Sequence, residues 1–137
     1  MRLWHIDLIP YLPKSQLLAQ WRELNSIFKK QDKHILINYI YEYPNEYLWE
    51  YTMRVIIEMQ NRNYEIKSLT NADNYFEGLG RIPEKIKNLA IFDEHNDEYL
   101  TICYWNLREK YLRGQKDFTE DVWNRLDAFY KNKGEWI

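Results

Sequence analysis

Apolar residues recur at steps of three and four in the region after Pro13, and this spacing constrains the fold more than any other feature. The stripe consists of Leu17, Leu18, Trp21, Leu24, Ile27 and Phe28. Residues at such steps share one face of an α-helix, whereas a strand would divide them between two faces. Pro13 and Ser15 suit the first turn of a helix. We therefore expect a long amphipathic helix here, preceded by a short arm over residues 1–12.

Three further segments show the same helical periodicity. They predict a helix over about 45–62, one from the Asn96 cap through Arg113, and one over about 120–132. Asn96 and Thr119 have side-chain oxygens suited to capping helix N-termini, and Gly114 and Gly134 suit helix ends. The predicted fold is all-α: a compact bundle of three long helices plus a shorter C-terminal helix.

Two segments fall outside this pattern. Residues 35–43 alternate in polarity as a strand does, but no second convincing strand is available to pair with them. We therefore expect an extended segment lying across the helices. Residues 63–94 lack periodicity and are expected to be mostly irregular, with Pro83 opening a short helix at Glu84–Asn88.

Length and composition favour a single domain over residues 1–137, because four Gly and four Pro leave no flexible linker. The longest aliphatic run, Val55-Ile56-Ile57, is far shorter than the ~20 residues of a membrane span. The single cysteine, Cys103, excludes an internal disulfide framework and fits a buried position on the third helix. We expect a cytoplasmic monomer that does not contact a membrane.

The charge is unevenly distributed, although the net charge is only −2. Residues 1–34 contain six Lys or Arg against three Asp or Glu, which gives this quarter a charge of +3. If the protein binds a phosphate backbone, this quarter is the first candidate. Twelve Tyr and six Trp could stack on bases, although filling the core is the more common role of such residues.

No motif for a metal or a cofactor is present, and we predict neither. The three histidines, His5, His34 and His95, are far apart in the sequence, and a surface or capping role is expected for each. There is no Gly-rich phosphate loop and no Gly-x-Ser-x-Gly elbow.

The residues that remain as candidates are the amino terminus, Arg2 and the pair Arg22-Glu23. Adjacent residues of a helix point about 100° apart. We therefore expect Glu23 to face a cleft and Arg22 to lie along its rim.

The sequence resembles the pyrimidine-dimer DNA glycosylases of the phage endonuclease V family. The residues in register without gaps are Leu12, Leu17, Ala19, Arg22-Glu23-Leu24, Phe28 and Lys33-His34. Weaker similarity follows in Glu58–Lys67 and Leu107–Lys110, while 35–50 and 70–95 match poorly. The opening Met1-Arg2-Leu3-Trp4 is similar to a bacterial branch of the same superfamily.

The resemblance implies a small all-α DNA repair enzyme. Family enzymes attack C1′ of the damaged nucleotide with the backbone amine at the chain start, expel the base and form a Schiff base. A glutamate assists proton transfer, and β-elimination then cuts the strand, which is AP lyase activity. The matching positions assign the amine to Met1, in the place of a family threonine, and the carboxylate to Glu23. An α-amine suits this chemistry because its pKa is near 8, below that of lysine at about 10.4.

The resemblance also implies a partner, double-stranded DNA with a damaged base such as a pyrimidine dimer. Arg2 matches the arginine beside the nucleophile, Arg22 matches a contact to the backbone and lesion, and Lys110 matches a phosphate contact. Ser26 stands in the lesion-binding helix, in the place of a family arginine. Lys33 extends the same basic surface.

Two alternatives remain open at this point. Gln16 replaces a family histidine and Ser26 an arginine, so the chain could be a catalytically silent nucleic-acid-binding protein of the same fold. Such a protein would bind nucleic acid through Arg2, Arg22, Lys29, Lys30 and Lys33. The second alternative is an unrelated function in which Arg22 and Glu23 are simply exposed. An open cleft shared by Met1 and Glu23 would argue against it.

Overall fold

A computed structural model describes residues 1–77 and 92–134. Its α-helices are α1 (Lys14–Lys30), α2 (Asn45–Asn61), α3 (Thr70–Tyr75), α4 (Asp97–Leu112) and α5 (Glu120–Gly134). Two 3₁₀ helices span Ile6–Tyr11 and Asn38–Glu42. The described ranges contain no strand, which confirms the all-α prediction. The C-terminal helix α5 has 15 residues against 16 in α4, so it is hardly shorter than the other long helices.

The first twelve residues are part of the hydrophobic core, whereas the sequence suggested only a short arm. Leu3, Leu8, Ile9 and Leu12 are almost completely buried. The 3₁₀ helix Ile6–Tyr11 packs against α2 and α5. This burial fixes the start of the chain to the rest of the molecule.

Helix α1 follows the predicted apolar stripe. Leu17, Leu24 and Ile27 are fully buried, and the helix ends at Gln31, whose φ of 49° is left-handed. Gln20 lies on the same buried face and is also completely inaccessible to solvent. A buried amide must find hydrogen-bond partners, and its partners belong to the candidate site described below.

The expectation of an extended segment over 35–43 is wrong. Residues 38–42 form a 3₁₀ helix, in which the Ile40 N–H donates to the Ile37 carbonyl at 3.0 Å. The buried residues Ile37 and Ile40 are three positions apart, which places them on one face of a 3₁₀ helix. This helix satisfies backbone groups locally, so the segment needs no partner strand.

Helix α2 is central, as its wide apolar face predicts. Tyr51, Val55 and Met59 are completely buried. The six-residue helix α3 lies in a region that was expected to be irregular, and it packs against α1. The short helix expected at Glu84–Asn88 lies outside the described residues.

The predicted starts of α4 and α5 are confirmed by their hydrogen bonds, while α5 runs through Gly134 and so ends later than the expected 132. The Asn96 side chain accepts from the Tyr99 N–H at 2.9 Å, and the Thr119 hydroxyl accepts from the Val122 N–H at 3.3 Å. Cys103 is fully buried in α4, as expected. Gly114 follows α4 with a left-handed φ of 84°.

Within residues 1–77 and 92–134, no helix combines the length and apolarity needed to cross a membrane.

Candidate functional site

A cleft of about 200 Å³ opens where the chain start, α1 and α4 meet. Its lining consists of Met1, Arg2, Trp4, Glu23, Leu36, Asn106 and Lys110. Four of the candidate residues from the sequence, Met1, Arg2, Glu23 and Lys110, therefore share one cleft. Three separate parts of the chain bring them together, and they combine an amine, a carboxylate and two further cationic side chains.

Glu23 is half-buried on α1 and faces this cleft. Burial raises the pKa of its carboxyl group above the ordinary value, while the positive charges of the Met1 amine and of Arg22 act in the opposite direction. The desolvation effect is the largest of the three. A carboxyl group with a raised pKa is better suited to both accepting and returning a proton near neutral pH.

Gln20 connects Glu23 to the start of the chain. Its side-chain oxygen accepts from the Trp4 N–H at 2.9 Å, and the Tyr51 hydroxyl lies 2.9 Å from the same oxygen. Its side-chain nitrogen donates to the Arg2 carbonyl and to Glu23 Oε2, both at 3.2 Å. Both N–H groups of the Gln20 amide therefore donate within the protein, and its oxygen accepts from the Trp4 backbone.

Sequence reasoning missed the role of Gln20. A glutamine on a helix is usually exposed, so it gave no reason for attention. A signal was nevertheless present, because Gln20 falls between Leu17 and Leu24 at the steps of three and four that define the buried stripe. It also stands three residues before Glu23, a spacing at which helical side chains meet.

Tyrosines and a histidine hold the backbone of residues 3–6 in place. The Tyr51 hydroxyl lies 2.7 Å from the Trp4 carbonyl, and the Tyr99 hydroxyl donates to the Leu3 carbonyl at 2.5 Å. The Ile6 N–H donates to His95 Nδ1 at 3.1 Å. The chain start is thereby attached to α2 and α4 as well as to α1, which fixes where the first residue lies.

Arg2 is packed against aromatic rings at the edge of the cleft. Its guanidinium carbon lies 5.7 Å from the Trp4 ring centroid and 5.8 Å from that of Tyr99. Cation–π contacts at these distances hold the side chain while leaving its N–H groups able to donate. The predicted cationic neighbour of the amine is therefore a positioned group.

The remaining candidates lie outside the cleft lining. Arg22 is exposed, which agrees with the expected rim position. The Ser26 hydroxyl donates to the Asp32 carboxylate, so Ser26 joins α1 to the following turn. The Lys33 ammonium lies 3.8 Å from the Tyr41 ring centroid.

The histidines have mainly structural contacts. His5 is buried and caps the first 3₁₀ helix by accepting from the Asp7 N–H at 3.1 Å, so the capping role is confirmed. His34 Nδ1 accepts from the Leu36 N–H at 3.1 Å. His95 bridges Ile6 and the Tyr39 hydroxyl, a role that neither a surface nor a capping position describes. Among residues 1–77 and 92–134, no three His, Cys, Asp or Glu side chains are arranged to hold a metal ion.

Comparison with known proteins supports the resemblance independently. A family model described as pyrimidine dimer DNA glycosylase matches residues 1–72, more than half of the 137-residue chain. The matched segment includes five of the seven cleft residues, among them Met1, Arg2 and Glu23. The interpretation of Arg22 and Glu23 as an exposed surface in an unrelated protein is therefore wrong. Comparisons with curated proteins and with solved structures give no match. The chain belongs to the pyrimidine dimer DNA glycosylase family.

Proposed function

We propose that the protein is a DNA repair N-glycosylase with AP lyase activity that excises a damaged pyrimidine, such as one in a pyrimidine dimer, from double-stranded DNA. The observation that supports this most directly is the cleft lined by both Met1 and Glu23. The positive charge of the Met1 amine also acts on the Glu23 carboxyl group, so the proposed nucleophile and proton-transfer group are near each other. Membership of the glycosylase family supplies the substrate class.

The α-amine of Met1 is the proposed nucleophile. An α-amine is in general less basic than a lysine side chain, so more of it is available as the neutral nucleophile. The lone pair of the amine forms a bond to C1′, and the glycosidic bond breaks. The base leaves with the electron pair of the broken bond and takes up a proton. Loss of the amine proton and opening of the sugar ring then give the Schiff base, with a proton delivered to the ring oxygen.

Glu23 is the proposed proton-transfer residue. Its carboxylate accepts a proton from the attacking amine and returns it to the sugar oxygen, and as an anion it also stabilises the cationic sugar. The hydrogen bond from Gln20 holds Oε2. We assign the proton transfer to Oε1. Abstraction of a C2′ proton then expels the 3′ phosphate, and water hydrolyses the Schiff base to release the enzyme.

The cationic residues around the cleft are proposed to bind the DNA backbone. Arg2 and Lys110 line the cleft, and Arg22 is an exposed neighbour of Glu23 on α1. Ser26, also on α1, and Lys33, just after it, are proposed to extend the contact. The whole chain has a net charge of −2, but these basic residues make the surface around the cleft positive. A polyanion such as DNA is expected to bind at this surface.

One observation favours a second candidate, a catalytically silent nucleic-acid-binding protein of the same fold. Gln16 exchanges hydrogen bonds with Gln115 at 3.1 and 2.7 Å. The position that matches a family histidine is thus used for packing α1 against the segment after α4. A protein that had lost catalysis would keep the fold and the basic surface while using this position structurally.

Borohydride trapping distinguishes the two candidates. The substrate is duplex DNA with an abasic site, and a duplex with a pyrimidine dimer is tested in parallel. We expect a covalent adduct that peptide mapping assigns to Met1, from protein whose free amino terminus has been verified by mass spectrometry. The matched control is the same protein with an acetylated amino terminus, which should give no adduct.

The two substrates give separate answers. An adduct with the abasic duplex alone would support the lyase and contradict base excision from dimers. An adduct mapped to a lysine side chain would contradict the role of Met1. No adduct with either duplex, together with salt-sensitive DNA binding, would favour the silent binding protein.

A further inference from the structure

The turn that follows α1 presents two apolar side chains to solvent. Ile35 is 86% exposed and Leu36 is 41% exposed. The described ranges contain no large apolar residue that is more exposed than Ile35. A single exposed apolar residue needs no explanation, but two consecutive ones at the mouth of a cleft call for one.

Leu36 places this turn beside the candidate active site. It lines the same cleft as Met1 and Glu23. Ile35 precedes it in the chain and is almost entirely in solvent, so it stands outside the cleft on the adjoining surface. A molecule that enters the cleft therefore passes these two side chains.

The turn is held in one conformation by local hydrogen bonds and by a buried anchor. The His34 N–H donates to Asn38 Oδ1 at 2.7 Å, and the Ile37 N–H donates to the His34 carbonyl at 2.9 Å. Ile37 itself is completely buried. Because the turn is already ordered, an apolar tip here can be inserted into a ligand without first losing conformational freedom.

The surroundings of the tip are basic. Lys29 and Lys30 in the last turn of α1, and Lys33 just after it, are all exposed. Asp32, the acidic residue among them, receives the Ser26 hydroxyl hydrogen bond. Two apolar side chains, Ile35 and Leu36, thus lie close in the chain to three exposed lysines. Duplex DNA suits such a surface, because it has charged phosphates outside and apolar stacked bases inside.

We propose that Ile35 and Leu36 form an apolar wedge that enters the base stack of duplex DNA beside the damaged nucleotide. The inference rests on the proposed function, because it assigns DNA to the cleft. The sugar that is attacked must be brought to the amine, and side chains inserted at a base step unstack and kink the duplex, which opens it at that step. The wedge holds this step open while the sugar of the damaged nucleotide reaches the cleft.

The aromatic residues of the same segment are less suited to this role. The Tyr39 hydroxyl lies 2.6 Å from His95 Nε2, and the Tyr41 hydroxyl donates to the Asp32 carbonyl at 2.5 Å. Both rings are therefore held by the protein. Ile35 and Leu36 are the side chains of this segment that are exposed and apolar.

The test uses the double variant Ile35→Ala, Leu36→Ala and a duplex with 2-aminopurine next to an abasic site. Ile57→Ala is the matched control, since Ile57 is an apolar residue of α2 that is 48% exposed and does not line the cleft. Two quantities are measured: the fluorescence of 2-aminopurine, which rises when the base is unstacked, and the single-turnover rate of borohydride trapping. The same rate is measured on an abasic single strand, and thermal unfolding checks each variant.

We expect the wild-type protein and the Ile57 variant to raise the fluorescence of the duplex. The double variant should lose most of this rise and trap the duplex about tenfold more slowly, because two buried apolar contacts are removed. Its rate on single-stranded DNA should fall much less than its rate on the duplex, since no stack has to be opened there.

Several outcomes would overturn the wedge. One is an equal fluorescence rise in the double variant and the wild type, and another is no rise with the wild type. An equal loss of rate on duplex and single strand would show a general defect of the cleft instead. Self-association that depends on Ile35, measured by sedimentation, would assign the tip to a second copy of the chain. A fluorescence rise without any adduct would leave the wedge standing while the catalytic proposal fails.

Discussion

The side-chain nitrogen of Gln20 donates hydrogen bonds both to the Glu23 carboxylate and to the Arg2 carbonyl, each at 3.2 Å. One buried amide therefore sets the distance between the acidic group of the cleft and the backbone that carries the first residue. The proposed reaction depends on this distance, because the sugar has to fit between the amine and the carboxylate. Substitutions at Glu23 and at Gln20 should accordingly have different effects.

Glu23→Gln is expected to preserve the fold and abolish most of the strand cleavage. The amide is close in size to the carboxylate but cannot accept the proton from the amine. Loss of a general acid–base group lowers rates by about 10²- to 10⁴-fold. The measurement is single-turnover cleavage of an abasic duplex. Glu109→Gln, at an exposed position on α4, is the control and should cleave like the wild type. Cleavage by Glu23→Gln at the wild-type rate would contradict the role assigned to Glu23.

Gln20→Leu is expected to destabilise the protein by about 1–3 kcal/mol. Leucine is apolar, so the substitution leaves the Trp4 N–H and the Arg2 carbonyl buried without the partner that they have in the wild type. Urea unfolding measures the loss. Tyr51→Phe removes one hydroxyl and leaves the Gln20 amide in place, so we expect a smaller loss there. A Gln20→Leu protein as stable as the wild type would show that the amide is dispensable.

The same Gln20 substitution should also move the acidic limb of the pH–rate profile to higher pH. A hydrogen bond donated to a carboxylate favours the charged form and lowers its pKa. Without this bond, the pKa of Glu23, already raised by burial, should rise further. The profile of kcat/KM for abasic-site cleavage measures the shift. Tyr51→Phe keeps the bond to Glu23, so its acidic limb should coincide with that of the wild type.

Acidification is expected to weaken the attachment of the chain start through His95. Burial, with a smaller contribution from the nearby His5, lowers the pKa of His95 from 6.5 to about 3. Below pH 6.5 the unfolded chain therefore binds a proton that the folded protein does not. The stabilising contribution of neutral His95 is complete above this pH and is lost as the pH falls toward 3. The slope of the free energy of unfolding approaches about 1.4 kcal/mol per pH unit in this interval.

His95→Asn tests this linkage. The asparagine oxygen can replace His95 Nδ1 as the acceptor for the Ile6 N–H, but it does not titrate. Urea unfolding across this pH interval should show a shallower dependence for the variant than for the wild type. Identical slopes for the two proteins would mean that the acid sensitivity arises elsewhere, for example at buried His5, whose pKa is also lowered by burial.

Lys110→Gln is expected to weaken binding to undamaged duplex DNA at every sequence. A lysine that contacts one phosphate contributes about one unit to the slope of log affinity against log salt concentration. Fluorescence anisotropy over a salt series measures that slope. Lys116→Gln is the control, because Lys116 is exposed just beyond α4 and does not line the cleft. An unchanged slope for Lys110→Gln would remove it from the DNA interface.

The helices could be predicted from the sequence because their apolar residues repeat over several turns, as Leu17, Leu24 and Ile27 do. Helix α3 could not, since six residues from Thr70 to Tyr75 are too few to show a period. The segment after α1 misled because alternating aromatic residues fit both a strand and a 3₁₀ helix with Ile37 and Ile40 buried. Periodicity shows which residues share one face of a helix or strand. It does not show which distant groups that face contacts.

The candidate site shows the same limit. Met1, Arg2 and Glu23 were candidates before the family resemblance gave them roles, Lys110 was added by that resemblance, and the structure brings all four to one cleft. Gln20 and Leu36 were not candidates, because their importance depends on contacts with distant groups. The link from Gln20 to Tyr51, for instance, spans 31 positions in the sequence.

The attachment of the chain start to α4 also bears on when activity can arise during protein synthesis. The bonds from Ile6 to His95 and from Tyr99 to Leu3 span 89 and 96 residues. Leu3 and Ile6 are therefore synthesised roughly 5–20 s before their partners at ordinary elongation rates. A nascent chain that has not yet reached α4 contains Met1, Gln20 and Glu23 but lacks the two bonds to His95 and Tyr99. The segment that carries Met1 is therefore synthesised early and receives these two bonds only after α4 has been made.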